Sequence, residues 1–192
     1  MSMKFTERDI QRFLYRRNHQ RFNVLLPNYT PLGWWECDLF GVTRSGYFHE
    51  FEIKVTRADF RKDAAKKRRD SWQWVGAERQ TIAGKLKHSQ IKSENGPARF
   101  WYVLPEGLIE LEEVPEWAGF QVICEKFGGH VRIVRQAPQL HRTKIRDSIL
   151  RHSLSVCYYR YWNERNNHDD TLRDRQSLYQ RLSSMEGAVT VP

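Results

Sequence analysis

Cysteine is scarce in this 192-residue chain: Cys37, Cys124 and Cys157 lie far apart and are odd in number. That argues against a disulfide framework and against a cysteine-rich zinc site. No apolar run approaches the roughly 18 residues of a membrane-spanning helix. The first residues lack the apolar stretch of a secretory leader. The expected place is therefore the cytoplasm of a bacterial or phage-infected cell, with no membrane partner. There is no glycine-rich phosphate loop, which removes support for nucleotide hydrolysis. The seven histidines form no metal-protease spacing, and no signature supports a Cys/His nucleophile.

What is present is a foldable, basic chain. Hydrophobic residues make up 40%, aromatics 13%, and seven are tryptophan. That apolar content offsets the ordering entropy that keeps polar chains unfolded. Lys and Arg number 32 against 23 Asp and Glu, for a net charge of +9. Such a balance favours a polyanion partner, nucleic acid above all. The positive charge is also concentrated. Between Lys54 and Lys92 there are 12 Lys/Arg and 4 Asp/Glu, whereas Glu106 to Glu116 holds five Glu and no Lys or Arg.

Thr6, followed by Glu7 and Asp9, predicts a capped helix running to about His19. Phe22 to Leu26 reads as a strand ended by Pro27-Asn28. Trp34–Thr43 and Tyr47–Val55 read as a hairpin closed by Arg44-Ser45-Gly46, with glycine taking the left-handed turn position. Thr56 then caps a cationic helix from Arg57 to about Asp70. Residues 71–98 give no clear period and are expected to be irregular or partly helical. Arg99–Leu104 predicts a central strand, and Leu108–Glu113 a short one. Phe120–Cys124 and Val131–Val134 complete the expected strands. A helix is expected from about His141 to Glu164, a break at Asn166–Asp170, and another helix over Thr171–Ser184. The expected division is 1–137 as the catalytic-type domain, 138–184 as a helical extension and 185–192 as a flexible tail.

The chemistry is in the hairpin. If Arg44-Ser45-Gly46 is the loop, Thr43 pairs with Tyr47, Asp38 stands opposite Glu52, and Glu36 stands opposite Lys54. Alternation puts Glu36, Asp38, Glu52 and Lys54 on one face and Cys37, Leu39, Phe51, Ile53 and Val55 on the other. Facing carboxylates repel. A divalent cation removes that cost, since Mg²⁺ takes one or two carboxylates plus water and phosphate oxygens. A neighbouring lysine suits metal-assisted phosphodiester hydrolysis. An alternating Glu-Ile-Lys is also what a solvated sheet face looks like.

Asp38, then Glu52-Ile53-Lys54, then a helix, resembles the PD-(D/E)XK nuclease superfamily. The string Glu52-Ile53-Lys54-Val55-Thr56-Arg57-Ala58-Asp59-Phe60 resembles its MmcB-like DNA-repair and phage group. So do Phe100-Trp101-Tyr102-Val103-Leu104-Pro105-Glu106-Gly107-Leu108 and Val114-Pro115-Glu116-Trp117-Ala118-Gly119. The resemblance spans about Glu7 to Val134. It implies an α/β fold with an αβββαβ core and mixed sheet, and a divalent metal, Mg²⁺ or Mn²⁺. It implies an enzyme that cleaves DNA, with Asp38, Glu52 and Lys54 catalytic. Asp38 and Glu52 would be metal ligands, joined by the Ile53 carbonyl and, from the first helix, Glu7. The residue before Asp38 is Cys37, where the family pattern has proline.

Arg57, Arg61, Lys62, Lys66, Lys67, Arg68 and Arg69 are candidate phosphate contacts, though they also suit a solvated helix face. Lys85, Lys87, His88 and Lys92 extend that basic surface in a loop, or are simply solvated. Trp72 and Trp74 suit anchoring, with base stacking as the alternative. Ile145, Ile149, Val156 and Trp162 mark a face that packs on the core or a second subunit, which leaves room for a homodimer. The other option is an arm across DNA. The opposing functional reading is an inactive nuclease-fold protein that binds DNA or acts as an adaptor.

Overall fold

The computed structural model describes residues 5–66, 71–75, 78–82, 84–124 and 129–187. The described elements are, in order, α1 (Glu7–Asn18), β1 (Phe22–Tyr29), β2 (Cys37–Thr43), β3 (Phe48–Ile53), α2 (Arg57–Asp63), β4 (Ser71–Val75), β5 (Glu78–Ile82), β6 (Arg99–Pro105), β7 (Gly119–Cys124), β8 (His130–Arg135) and α3 (Asp147–Gly187). This is a mixed α/β fold. Six strands form one mixed sheet in the order β1-β2-β3-β6-β7-β8, and β4 and β5 form a separate hairpin. The chain divides into two compact units, residues 1–153 and 154–192.

Local chemistry explains most boundaries. Thr6 caps α1 through a capping box with Asp9, and Ile10 and Leu14 are its buried stripe. β1 runs on through Pro27, which pairs with Leu39. A proline is tolerated there because β1 is an edge strand with no partner needed on its outer side. The β2–β3 loop is as expected: Thr43 N donates to Tyr47 O at 2.9 Å, and Gly46 has a φ of 87°. β3 and β6 run parallel, as do β6 and β7, so β6 is central.

One face of the sheet packs on α1. Ile10 and Leu14 meet Leu39, Phe51, Ile53, Trp101, Val103, Ile123 and Val131. Each such large apolar side chain contributes about 1.5–3 kcal/mol on burial. The opposite face carries Phe40, Glu50, Glu52, Phe100 and Tyr102, and these too are buried. On the charged hairpin face Glu52 is therefore interior, while Asp38 and Lys54 are half-buried.

Several expectations are corrected. Thr56 does cap α2, but the helix ends at Asp63 rather than near Asp70. Lys67, Arg68 and Arg69 lie outside the described residues. The segment expected to be irregular contains the β4–β5 hairpin, with Trp72 paired to Thr81 and Trp74 to Arg79. Leu108–Glu113 holds a 3-10 turn at Leu111–Glu113 instead of a strand. The helix expected from His141 begins at Asp147, because Leu140 N donates to Ala98 O and Ile145 N to Gly46 O, tying this stretch to the core. α3 then passes through Asn166–Asp170 without a break. Of its apolar positions, Ile149 is buried and Trp162 exposed.

Candidate functional site

The hairpin register places the first pair. Leu39 is partnered with Phe51 and Phe40 with Glu50, so Asp38 and Glu52 face each other one step further on. Asp38 Oδ2 accepts a hydrogen bond from Ile53 N at 2.7 Å. Burial, and then the Glu52 charge, push the Asp38 carboxyl up to about 7. Among the described residues, no ion pair reaches Asp38.

Glu52 is fully buried and answered by three lysines. Its Oε1 accepts from Lys54 Nζ at 2.6 Å and Lys66 Nζ at 3.0 Å, and its Oε2 accepts from Lys87 Nζ. Burial pulls the Glu52 pKa upward, but Lys87, Lys54 and Lys66 win and hold it below the usual range. Lys54 also lies 3.3 Å from Asp63 Oδ1. Burial pulls the Lys54 pKa down; Glu52 and Asp63 more than reverse that, and its pKa stands above the ordinary lysine value.

Sequence reasoning missed much of this cluster. Glu50 Oε1 forms an ion pair with Lys87 Nζ at 2.6 Å, and its Oε2 accepts from Trp34 Nε1 at 2.7 Å. Burial raises the Glu50 pKa in spite of Lys87. Asp63, at the end of α2, accepts from Tyr102 OH at 2.6 Å and lies 2.9 Å from His88 Nε2. Desolvation there is outweighed by His88 and Lys54, so Asp63 is held well below the usual carboxylate range. Period-two alternation was the available signal for Glu50, which shares a face with Glu52. Asp63 and Tyr102 carried no signal of their own.

Other predicted residues fall elsewhere. Lys87, expected on a basic surface loop, has no solvent exposure: its chain stem is enclosed and its ammonium closes on Glu50 and Glu52. Lys66 meets Glu52, with a third of its side chain exposed. Arg57 donates to Leu108 O at 3.0 Å and lies 3.5 Å from Glu113, so it is tied to the 3-10 turn. Arg61, Lys62 and Lys85 are exposed. Glu7 accepts from Gln11 Nε2, which also donates to the Asp38 carbonyl at 2.8 Å. Glu7 thus reaches the Asp38 backbone only through Gln11. Glu36 is exposed.

Asp38, Lys54 and Lys66 keep partial exposure, whereas Glu50, Glu52, Asp63 and Lys87 are enclosed. The arrangement is a buried acid–amine cluster with one open edge. It can hold an anionic group against Lys54 and Lys66, with an acid of near-neutral pKa beside them. The described residues contain no group of three or more His, Cys, Asp or Glu side chains arranged for a metal ion, so any cation here has to rest on fewer protein ligands. Nor is any helix among the described residues long and apolar enough to cross a membrane.

No family model matches the chain, and no curated protein matches it. Among solved structures, the chain is similar to a protein of unknown function from Silicibacter pomeroyi. That similarity has 19% identity and a TM-score of 0.54, and covers 81% of this chain and 86% of that one. The likeness extends to the fold alone.

Proposed function

We propose that the protein is a divalent-metal-dependent deoxyribonuclease of the PD-(D/E)XK type, an endonuclease serving DNA repair, recombination or phage DNA metabolism. The observation that carries this reading is the convergence of two partly exposed groups, Asp38 and Lys54, on the enclosed carboxylate of Glu52. The order α1-β1-β2-β3-α2, with β6 later beside β3, supports it. So does the net charge of +9.

The residues fit Mg²⁺ or Mn²⁺ at low protein denticity. Such an ion needs only one or two carboxylates, with water and phosphate oxygens completing its shell. Asp38 offers a carboxylate without an ammonium partner among the described residues, and Glu52 offers one by exchanging a lysine. Asp38 and Glu52 would hold the ion, with the Ile53 carbonyl beside them. A divalent ion held there would supply Lewis-acid charge for phosphodiester hydrolysis.

The chain's own residues do the rest. Lys54, held protonated between Glu52 and Asp63, stabilises negative charge developing on the phosphate rather than accepting a proton. Lys66 meets a non-bridging phosphate oxygen from the open side. Asp63 fixes the position of Lys54, and Tyr102 and His88 fix Asp63. Exposed Arg61 and Lys62 add salt-dependent backbone affinity.

A second reading is carried by the same lysines. Because Lys54, Lys66 and Lys87 already neutralise Glu52, a cation-free DNA-binding or adaptor protein is also stable as built. One experiment separates them: single-stranded, duplex and branched DNA are offered with Mn²⁺ to the wild type and to Asp38→Ala. The nuclease cuts and the folded variant does not. Full cutting by Asp38→Ala overturns the assignment. No cutting and no Mn²⁺-induced thermal shift in the wild type makes binding the function.

A further inference from the structure

On the α1 side of the sheet, away from the carboxylate face, lies a cavity of about 380 Å³. Its walls come from the end of α1, the start of β1, the β2–β3 loop, and side chains of β3, β6, β7 and β8. Three properties define it. First, it is aromatic. Phe51 and Trp101 are stacked with an interplanar angle of 10°, and Phe22 meets Phe51 and His49 edge-on. Second, two polar atoms in its lining residues are buried without a hydrogen-bond partner among the described residues: Trp101 Nε1, a donor, and Gln121 Oε1, an acceptor. These residues are only 6% and 3% exposed. Third, it is cationic, because Arg17, Arg21 and Arg44 line it and no Asp or Glu does.

Buried polar atoms without partners cost about 1–3 kcal/mol each and call for an explanation. Here both are in side chains that line one cavity of a size ordinary for small ligands. A ligand that answers all three properties is flat and aromatic. It offers one acceptor and one donor on its edge and carries negative charge outside the plane. We infer that this cavity binds a nucleotide. The base lies among Phe22, Phe51 and Trp101, its edge meets Trp101 Nε1 and Gln121 Oε1, and its phosphate meets Arg21 and Arg44. Arg17 already donates to Val131 O at 2.7 Å and adds charge from that fixed position. The nucleotide is either free or the phosphorylated end of a strand, since both present the same group. The site stands independently of the nuclease assignment and requires no metal.

The test is calorimetric titration of the full chain in EDTA, so that failure here is separate from failure of the metal site. The probes are dAMP, deoxyadenosine, inorganic phosphate and a 5′-phosphorylated oligodeoxyadenylate. Saturable dAMP binding is expected, with deoxyadenosine and phosphate each weaker by about tenfold or more. Arg21→Gln with Arg44→Gln, both at exposed positions, should weaken dAMP about tenfold and leave deoxyadenosine unchanged. Trp101→Phe should weaken dAMP and deoxyadenosine alike. If only the oligonucleotide binds, and the arginine pair weakens it, the site belongs to strand ends. The inference is overturned by no saturable binding of dAMP or the oligonucleotide at millimolar concentration. It is equally overturned by phosphate matching dAMP, or by binding indifferent to the arginine pair, which tests the site even where Trp101→Phe disturbs folding.

Discussion

Lys87 Nζ lies 2.6 Å from Glu50 Oε1, and neither side chain has any exposure to solvent. The same ammonium reaches Glu52 Oε2, so one lysine from a loop closes over two acids of β3. Removing one partner of such a pair leaves a buried charge unanswered, at about 3–5 kcal/mol. Lys87→Met should therefore lower unfolding free energy by about that amount in urea titration. Lys87→Met combined with Glu50→Gln should recover part of the loss, because no bare carboxylate then stays at Glu50. A Lys87→Met protein as stable as the wild type would show that the ammonium is dispensable.

Asp63 is the second carboxylate beside Lys54, after Glu52. Tyr102 OH and His88 hold its Oδ2, and its Oδ1 faces Lys54 at 3.3 Å. Asp63→Asn keeps the shape and removes the charge. It should weaken the hold on Lys54 and slow DNA cutting at least tenfold, about 1.4 kcal/mol of barrier. Tyr102→Phe should cost about 1–2 kcal/mol of stability, since the Asp63 carboxylate loses a buried donor. Asp63 is held low in the fold, so its contribution is present above the unfolded value of 3.8 and is lost as pH falls below it. Acid titration of wild type against Asp63→Asn measures this.

The hairpin was legible because a three-residue loop ending in glycine fixes register, and register fixes Asp38 against Glu52. What the sequence could not convey was how Glu52 is neutralised. Lys87 meets it from 35 positions along the chain, out of a stretch with no hydrophobic period to show burial. The facing acids predict a compensating positive charge, and a lysine serves as well as an ion. β4 and β5 were obscured for a related reason: Ser71-Trp72-Gln73-Trp74-Val75 does alternate, but it sits inside a Lys/Arg-rich run. The Asn and Asp residues at 166–170 weaken a helix by under about 1 kcal/mol each, too little to end α3.

His49 gives the fold a pH response in a window that Asp63 does not share. Burial, with Arg99 and Arg21 nearby, lowers its pKa from 6.5 to about 4. Between those values the unfolded chain binds the proton and the folded one does not. Stability from this residue is thus complete above 6.5 and falls as pH drops toward 4, by up to about 3 kcal/mol. Asp38 works in the opposite sense, because its carboxyl takes up a proton near 7 in the fold. The response of His49 is isolated by difference: His49→Asn should lower the slope of stability against pH between 4 and 6.5 relative to wild type. Parallel profiles would assign the slope to other groups.

Gly119 tests the packing that supports the cationic cavity. It lies in β7, paired with Trp101 of β6. A Cβ there would stand 2.5 Å from Trp101 Cε3 and 2.6 Å from the backbone nitrogen of Ala137. Neither neighbour can yield cheaply. Trp101 is stacked on Phe51, and Ala137 is held by Arg99, whose Nη1 donates to its carbonyl. Gly119→Ala should therefore cost about 1–3 kcal/mol by overpacking. Gly46→Ala would meet only Lys144 at ordinary contact distance, and its cost comes from a φ of 87°. The two substitutions differ in a second readout. Displacing the Trp101 ring moves its Nε1, so Gly119→Ala should weaken dAMP binding more than Gly46→Ala does at equal loss of stability. Equal effects on binding would mean that the position of Trp101 does not matter to the ligand.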